Sequence, residues 1–214
     1  MDKKHLLFDL DGTLTDPKEG ITKSVQYALN KFGIKIEDRD ELCPFIGPPL
    51  IDSFMEFYNF SEEDAKKAVI LYREYFTDKG ILDNKVFEGA EEVLKSLVDR
   101  GKKLYVASSK PEVFVRQIME HFGLDIYFTF MGGSDLNGTR DKKADVIRYV
   151  MKECGLKDPD SIVMIGDRKH DILGAREVSI DSVGVLYGYG SRQELEEAGA
   201  LKIAETIFDL QNLL

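Results

Sequence analysis

Short apolar runs alternate with amphipathic stretches of helical period along most of this chain, and few folds other than a parallel α/β sheet covered on both faces satisfy that alternation. The candidate strands are His5–Asp9, Lys103–Ala107, Phe128–Met131, Ile162–Ile165, Ser182–Leu186 and Lys202–Ala204. Three sheet-covering helices lie between them. One carries Ala90, Val93, Leu94, Leu97 and Val98 on a single stripe and stops at Gly101; another starts at Pro111 and ends near Gly123. The third runs through Val146, Ile147, Val150, Met151 and Cys154 to Gly155. Proline suits a first helical position, and glycine suits the position just past the last.

Residues 16–86 interrupt this pattern and read as an inserted all-helical subdomain placed over the sheet edge, leaving 1–15 and 87–214 as the core. Asp16-Pro17-Lys18-Glu19 reads as N-cap, N1 proline and N3 glutamate of a helix with Ile21, Val25, Ala28, Leu29 and Phe32 on one stripe. Gly20 weakens that helix by about 1 kcal/mol relative to alanine, which suggests a need for close backbone access. A charged stretch, Glu37–Glu41, and the turn-rich Gly47-Pro48-Pro49 precede a second helix through Phe54 and Phe57. Ser61 caps a third, which carries Ala65, Ala68, Val69, Tyr72 and Phe76.

Composition removes several classes of function. The 214 residues are 43% hydrophobic, enough for a full core, and no apolar stretch approaches the ~20 residues of a membrane helix. No leader pattern stands at the start, and two cysteines, Cys43 and Cys154, are too few for a disulfide framework, so a cytoplasmic protein is expected. A net charge of −10 argues against nucleic acid and means that an anionic substrate needs a local cation. The three histidines, His5, His121 and His170, lack zinc-ligand spacing.

The chemistry concentrates in four segments. Leu6-Leu7-Phe8-Asp9-Leu10-Asp11-Gly12-Thr13 drives an apolar strand into two carboxylates at i and i+2, which can lie together at the carboxyl edge of a sheet, where open α/β folds bind ligands. Ser108-Ser109-Lys110-Pro111 follows another strand, and a hydroxyl there with the first amides of a helix can hold a phosphoryl oxygen. Arg140-Asp141-Lys142-Lys143 precedes a helical stripe starting at Ala144, so Lys143 is the preferred cation at that helix edge, with Lys142 the alternative. Ile162–Ile165 ends in Gly166-Asp167, with Asp171 four residues on; carboxylates so placed make the oxygen-rich set that magnesium prefers.

Together these segments resemble the haloacid dehalogenase-like phosphohydrolase superfamily, in particular its phosphoglycolate phosphatase-like branch. The resemblance covers nearly the whole chain, with the motifs in family order and a helical insertion directly after the first. It implies a Rossmann-like parallel core with an inserted all-helical cap. Asp9 would attack phosphorus to form an aspartyl-phosphate, and Asp11 would protonate the leaving alkoxide and then activate water. Thr13 and Ser108 would contact the phosphoryl group, as would Ser109, which stands where close members often carry asparagine. Lys143 would balance the intermediate. Mg2+ would be held by Asp9, the main-chain carbonyl of Asp11, Asp167 and Asp171, the last directly or through water. Gly47, in the loop Phe45–Leu50, matches the family's substrate-specificity loop, and cap closure would exclude water.

The implied activity is Mg2+-dependent hydrolysis of a small phosphorylated metabolite by a monomer or weak homodimer, with no membrane partner. A phosphoglycolate phosphatase-like reaction leads. A 5′-nucleotidase, a phosphoglucomutase-like transferase and a regulatory protein without catalysis are the alternatives. Asp11 separates the chain from dehalogenating members, which lack an acid two residues past the nucleophile.

Overall fold

The computed structural model describes residues 1–137 and 139–214. They form two units, Met1–Asp16 with Val86–Leu214, and Pro17–Lys85. Strand β1 (His5–Phe8) opens the first unit, and the short strands β2 (Thr15–Asp16) and β3 (Lys85–Val86) stand where the chain leaves it and returns. Strands β4 (Lys103–Pro111), β5 (Phe128–Ser134), β6 (Ile162–Gly166), β7 (Asp181–Val185) and β8 (Lys202–Ala204) complete the sheet with β1. The order is β5-β4-β1-β6-β7-β8, and the neighbouring strands run parallel. This is the Rossmann-like α/β architecture expected from the alternation of strands and helices.

The strand order places the site. After β1 the chain adds β4 and β5 on one side, then crosses to add β6, β7 and β8 on the other. Ligands in such sheets bind beyond the carboxyl ends of the strands at the switch point, which here lies between β1 and β6. Phe8 is level with Val106 on β4 and Ile165 on β6, so the residues that follow these strands emerge at one edge. β1 and β6 are buried along their lengths except for His5, as strands covered on both faces require.

The second unit is helical: α1 (Lys18–Lys31), α2 (Leu50–Tyr58) and α3 (Glu62–Tyr75). Its core takes Val25, Ala28 and Leu29 from α1, Phe54 from α2, and Ala65 and Ala68 from α3. The Ser61 hydroxyl accepts the Asp64 amide at 3.1 Å, the cap expected for α3. Gly20 has the predicted close approach, because a Cβ there would collide with the Gly80 carbonyl oxygen. Two local features depart from expectation. Arg39–Phe45 winds as a 3₁₀ helix, with the Asp38 carboxylate accepting the Asp40 amide at 2.9 Å, and Phe76–Gly80 widens into a π turn after α3.

In the first unit, α4 (Ala90–Asp99), α5 (Glu112–His121), α6 (Lys143–Glu153), α7 (Lys169–Glu177) and α8 (Arg192–Ala198) flank the sheet. On one face Val146, Ile147 and Val150 of α6 pack with Leu7, Tyr105, Met164 and Ala175. Two sequence expectations are corrected here. β4 does not stop at Ala107 but continues to Pro111, paired there with Ser134 of β5, so Pro111 is extended and α5 starts at Glu112. Asp16 does not cap α1; Pro17 occupies that position without a side-chain cap, and the Asp16 carboxylate accepts the Tyr189 hydroxyl instead. No helix among the described residues is long and apolar enough to cross a membrane.

Candidate active site

The turn after β1 is built around one carbonyl. The amides of Thr13, Leu14 and Thr15 all donate to Leu10 O, at 3.2, 2.9 and 3.0 Å, and Gly12 N donates to Thr15 O at 2.8 Å. Asp9 continues the ladder by donating its amide to Ile165 O at 2.9 Å. Gly12 sits at φ +79°, and a Cβ on it would overlap the Asp167 carboxylate. That position therefore needs glycine twice over, for the left-handed backbone and for the contact that brings the first motif against the last.

Asp9, Asp167 and Asp171 converge, with one carboxylate oxygen from each lying within 4.8 Å of the others, and all three are buried. Lys143 reaches in from the first turn of α6, its Nζ 2.9 Å from Asp9 Oδ1, 2.8 Å from Asp171 Oδ1 and 3.0 Å from Ala107 O, to which it donates. Lys142 is exposed at the N-cap of α6, so Lys143 is the lysine the fold delivers to the carboxylates. The Leu10 amide also donates to Asp9 Oδ1, at 2.8 Å, leaving Oδ2 as the oxygen that neither donor engages. Asp171 serves two ends: its Oδ2 accepts the Arg168 amide at 3.1 Å and caps α7, while Oδ1 faces Lys143.

Asp11 stands apart from that trio. Its Oδ2 pairs with Lys110 Nζ at 2.7 Å, and both side chains are nearly buried. The expected ligand set takes only the main-chain carbonyl from Asp11, and the side chain is turned toward its own lysine. Nothing in the local sequence pattern gives Lys110 a role. The extension of β4 past Ala107 takes it to the site, and its position next to Ser108-Ser109 at a strand end was the signal available. Ser108 is buried and its Oγ accepts the Lys110 amide at 3.3 Å, whereas Ser109 is half-buried. Thr13 is fully buried, and its Oγ1 lacks a hydrogen-bond partner. Gly47 lies in the helical unit, before α2, with φ +103°.

Burial and mutual repulsion set the charge states. Burial pushes Asp167 well above the usual carboxylate range, and Asp171 and Asp9 push it further; the Tyr189 amide offsets only part of this. Asp171 is pushed up to about 6, chiefly by burial, with Lys143 pulling down and Asp9 pushing up. Burial also raises Asp11, against the pull of Lys110. Burial alone would lower Lys143, but Asp171 and Asp9 more than reverse it and hold the ammonium above its ordinary value.

These groups fit a hard divalent cation. Asp167 Oδ1 is buried without a hydrogen-bond partner, and its other oxygen is taken by the Tyr189 amide at 2.8 Å. A buried carboxylate with an orphaned oxygen, set beside two further carboxylates, costs several kcal/mol unless a cation meets it. The three converging carboxylates share one lysine, so in their ionised forms they carry an excess of two negative charges that one divalent ion cancels. An all-oxygen set of this kind suits Mg2+.

A family model described as haloacid dehalogenase-like hydrolase matches residues 6–185. A protein of Pseudomonas aeruginosa named 5′-nucleotidase is 51% identical over 191 residues, 89% of this chain and 86% of that one. A phosphoglycolate phosphatase of Colwellia psychrerythraea is 28% identical, covering 98% of this chain and 96% of its own. The crystal structure of a predicted phosphatase from Clostridium acetobutylicum superposes with a TM-score of 0.97 at 52% identity, over 99% of this chain and 97% of that one.

Proposed function

The chain belongs to the haloacid dehalogenase-like hydrolase family and is a phosphoric monoester hydrolase; we propose that it cleaves small phosphomonoesters with Mg2+ through an aspartyl-phosphate on Asp9. The observation that carries this reading is the convergence of Asp9 with Asp167 and Asp171, with Lys143 paired to Asp9 and an oxygen of Asp167 left without a hydrogen-bond partner. Asp9, Asp167 and the Asp11 main-chain carbonyl would hold the ion, with Asp171 directly or through water. When bound, Mg2+ neutralises the repulsion between the anionic nucleophile and the phosphoryl oxygens and polarises the latter.

The protein groups then divide the work. Asp9 Oδ2 attacks phosphorus while Oδ1 stays tied to the Leu10 amide and Lys143, which fixes the angle of the carboxylate. Ser108 and the adjacent amides bind phosphoryl oxygens, and Lys143 compensates the charge of the intermediate. Asp11 delivers a proton to the leaving alkoxide and then takes one from the water that opens the acyl phosphate. Burial favours its protonated form, and Lys110 holds the carboxylate once the proton has left.

For the substrate, 51% identity to a 5′-nucleotidase against 28% to a phosphoglycolate phosphatase supports nucleoside 5′-monophosphates first and 2-phosphoglycolate second, reversing the order expected from sequence motifs alone. The partner is thus a small phosphorylated metabolite. We place the protein in the cytoplasm on account of its two cysteines, too few for a disulfide framework and suited to a reducing compartment. A panel of nucleoside 5′-monophosphates, 2-phosphoglycolate and sugar phosphates, compared by kcat/KM with Mg2+ and with EDTA, tests the reading. Release of phosphate that chelation stops, highest for nucleotides, is the expected outcome; a chain inert to every phosphoester, or indifferent to EDTA, overturns it.

A further inference from the structure

The segment after β7, Tyr187-Gly188-Tyr189-Gly190, lies against both the Gly12–Thr13 turn and Asp167 although no catalytic group comes from it. The Tyr189 amide donates to Asp167 Oδ2 at 2.8 Å, and the Tyr189 hydroxyl donates to the Asp16 carboxylate, the last core residue before the chain enters its helical unit. Tyr187 donates its hydroxyl to Thr13 O at 3.1 Å, and its ring meets Phe87 edge-on at 5.2 Å between centroids. Side chains at 188 and 190 would collide with Gly12 O and Asp167 O respectively, so both glycines let the backbone lie directly on the two motifs.

A carboxylate at the end of a strand can rotate about its last bond and offer either oxygen. Here the Tyr189 amide occupies Oδ2, leaving Oδ1 buried without a hydrogen-bond partner in a carboxylate that converges with Asp9 and Asp171. The amide can do this only while the loop stays in place, and the phenol anchors the same residue to Asp16 across 173 positions of sequence. We propose that Tyr189 is a positioning residue for the metal: anchored to Asp16 by its hydroxyl, it uses its backbone N–H to lock the Asp167 carboxylate so that one chosen oxygen faces the ion.

The inference rests on the Mg2+ reading of the site and is tested by ion binding rather than turnover alone. The whole chain is titrated with MgCl2 in a calorimeter for wild type, Tyr189→Phe, Asp16→Ala, Asp16→Asn and the double variant Tyr189→Phe/Asp16→Ala. Partners that orient a metal ligand typically change affinity by about tenfold or more when removed. Tyr189→Phe and Asp16→Ala should each weaken Mg2+ by about tenfold, and the double variant by no more than either single. Asp16→Asn, which keeps an acceptor, should retain near wild-type affinity. The kcat at saturating Mg2+ should stay within about twofold, with the loss confined to the Mg2+ concentration needed.

A merely structural tyrosine would lower the melting temperature and leave the Mg2+ dissociation constant unmoved, and that result in Tyr189→Phe overturns the proposal. Should Tyr189→Phe fail to fold, Asp16→Ala makes the same cut from the other side and is judged by the same constant. A wild-type chain that binds no Mg2+ overturns the functional reading and this inference together; a wild type that binds, with a Tyr189→Phe that binds equally well, overturns this inference alone.

Discussion

Replacing Asp167 by asparagine should stabilise the metal-free protein while removing its response to Mg2+. The carboxylate is fully buried, and one of its oxygens lies within 4.8 Å of oxygens of Asp9 and Asp171. At an effective dielectric constant of about 20, two unit charges at that separation repel by about 3.5 kcal/mol. Two such neighbours act on Asp167, and Lys143 cancels part of their effect, so a net relief of about 3 kcal/mol is expected from the neutral amide. Asparagine keeps an acceptor for the Tyr189 amide. For a chain of this size, about 3 kcal/mol corresponds to roughly 6–12 °C in melting temperature.

The assay is thermal unfolding in EDTA at neutral pH, repeated across a Mg2+ titration. Wild type should gain about 2.7 kcal/mol at a hundredfold excess of Mg2+ over its dissociation constant, and the variant should gain nothing. Acidification supplies a second readout. Because the folded pKa of Asp167 lies above the unfolded one, the folded state binds the proton more tightly, so the wild type loses stability as pH rises. The gap between the two proteins should therefore narrow as pH falls below neutral. An Asp167→Asn protein that melts at or below wild type in EDTA would refute the reasoning.

Asp9→Asn should leave the fold intact and cut kcat by at least a thousandfold, checked by phosphate release and by circular dichroism; more than a tenth of wild-type turnover would contradict the nucleophile assignment. Gly20→Ala gains helix propensity but drives a methyl group into the Gly80 carbonyl, so a net loss of about 1–3 kcal/mol is expected in urea unfolding.

How far the site could be read in advance depended on whether local pattern or distant contact placed each residue. Asp9 and Asp167 were legible because apolar strands end just before them, and a parallel sheet sends such ends to one edge. Lys143 was favoured over Lys142 by the stripe beginning at Ala144, since the first turn of a sheet-covering helix points one of two neighbours inward. Lys110 is hidden in the sequence because the apolar run of β4 ends at Ala107, while pairing of Pro111 with Ser134 extends the strand. Asp16 looked like an N-cap by every local rule, and a tyrosine far along the chain claimed its carboxylate. The Tyr187–Gly190 loop left one trace in the sequence, two glycines alternating with tyrosines just past a strand, whose meaning depends on what lies beneath.

The central strand has a consequence for how the chain acquires its structure. β1 is made first, yet its neighbours begin at Lys103 on one side and Ile162 on the other. During synthesis it must therefore wait, apolar and unpaired, while the intervening helices, whose contacts are short in sequence, can form around it. Nothing can seal its second edge until Ile162–Ile165 has left the ribosome. A nascent chain of this design spends that interval with an apolar strand open on both sides.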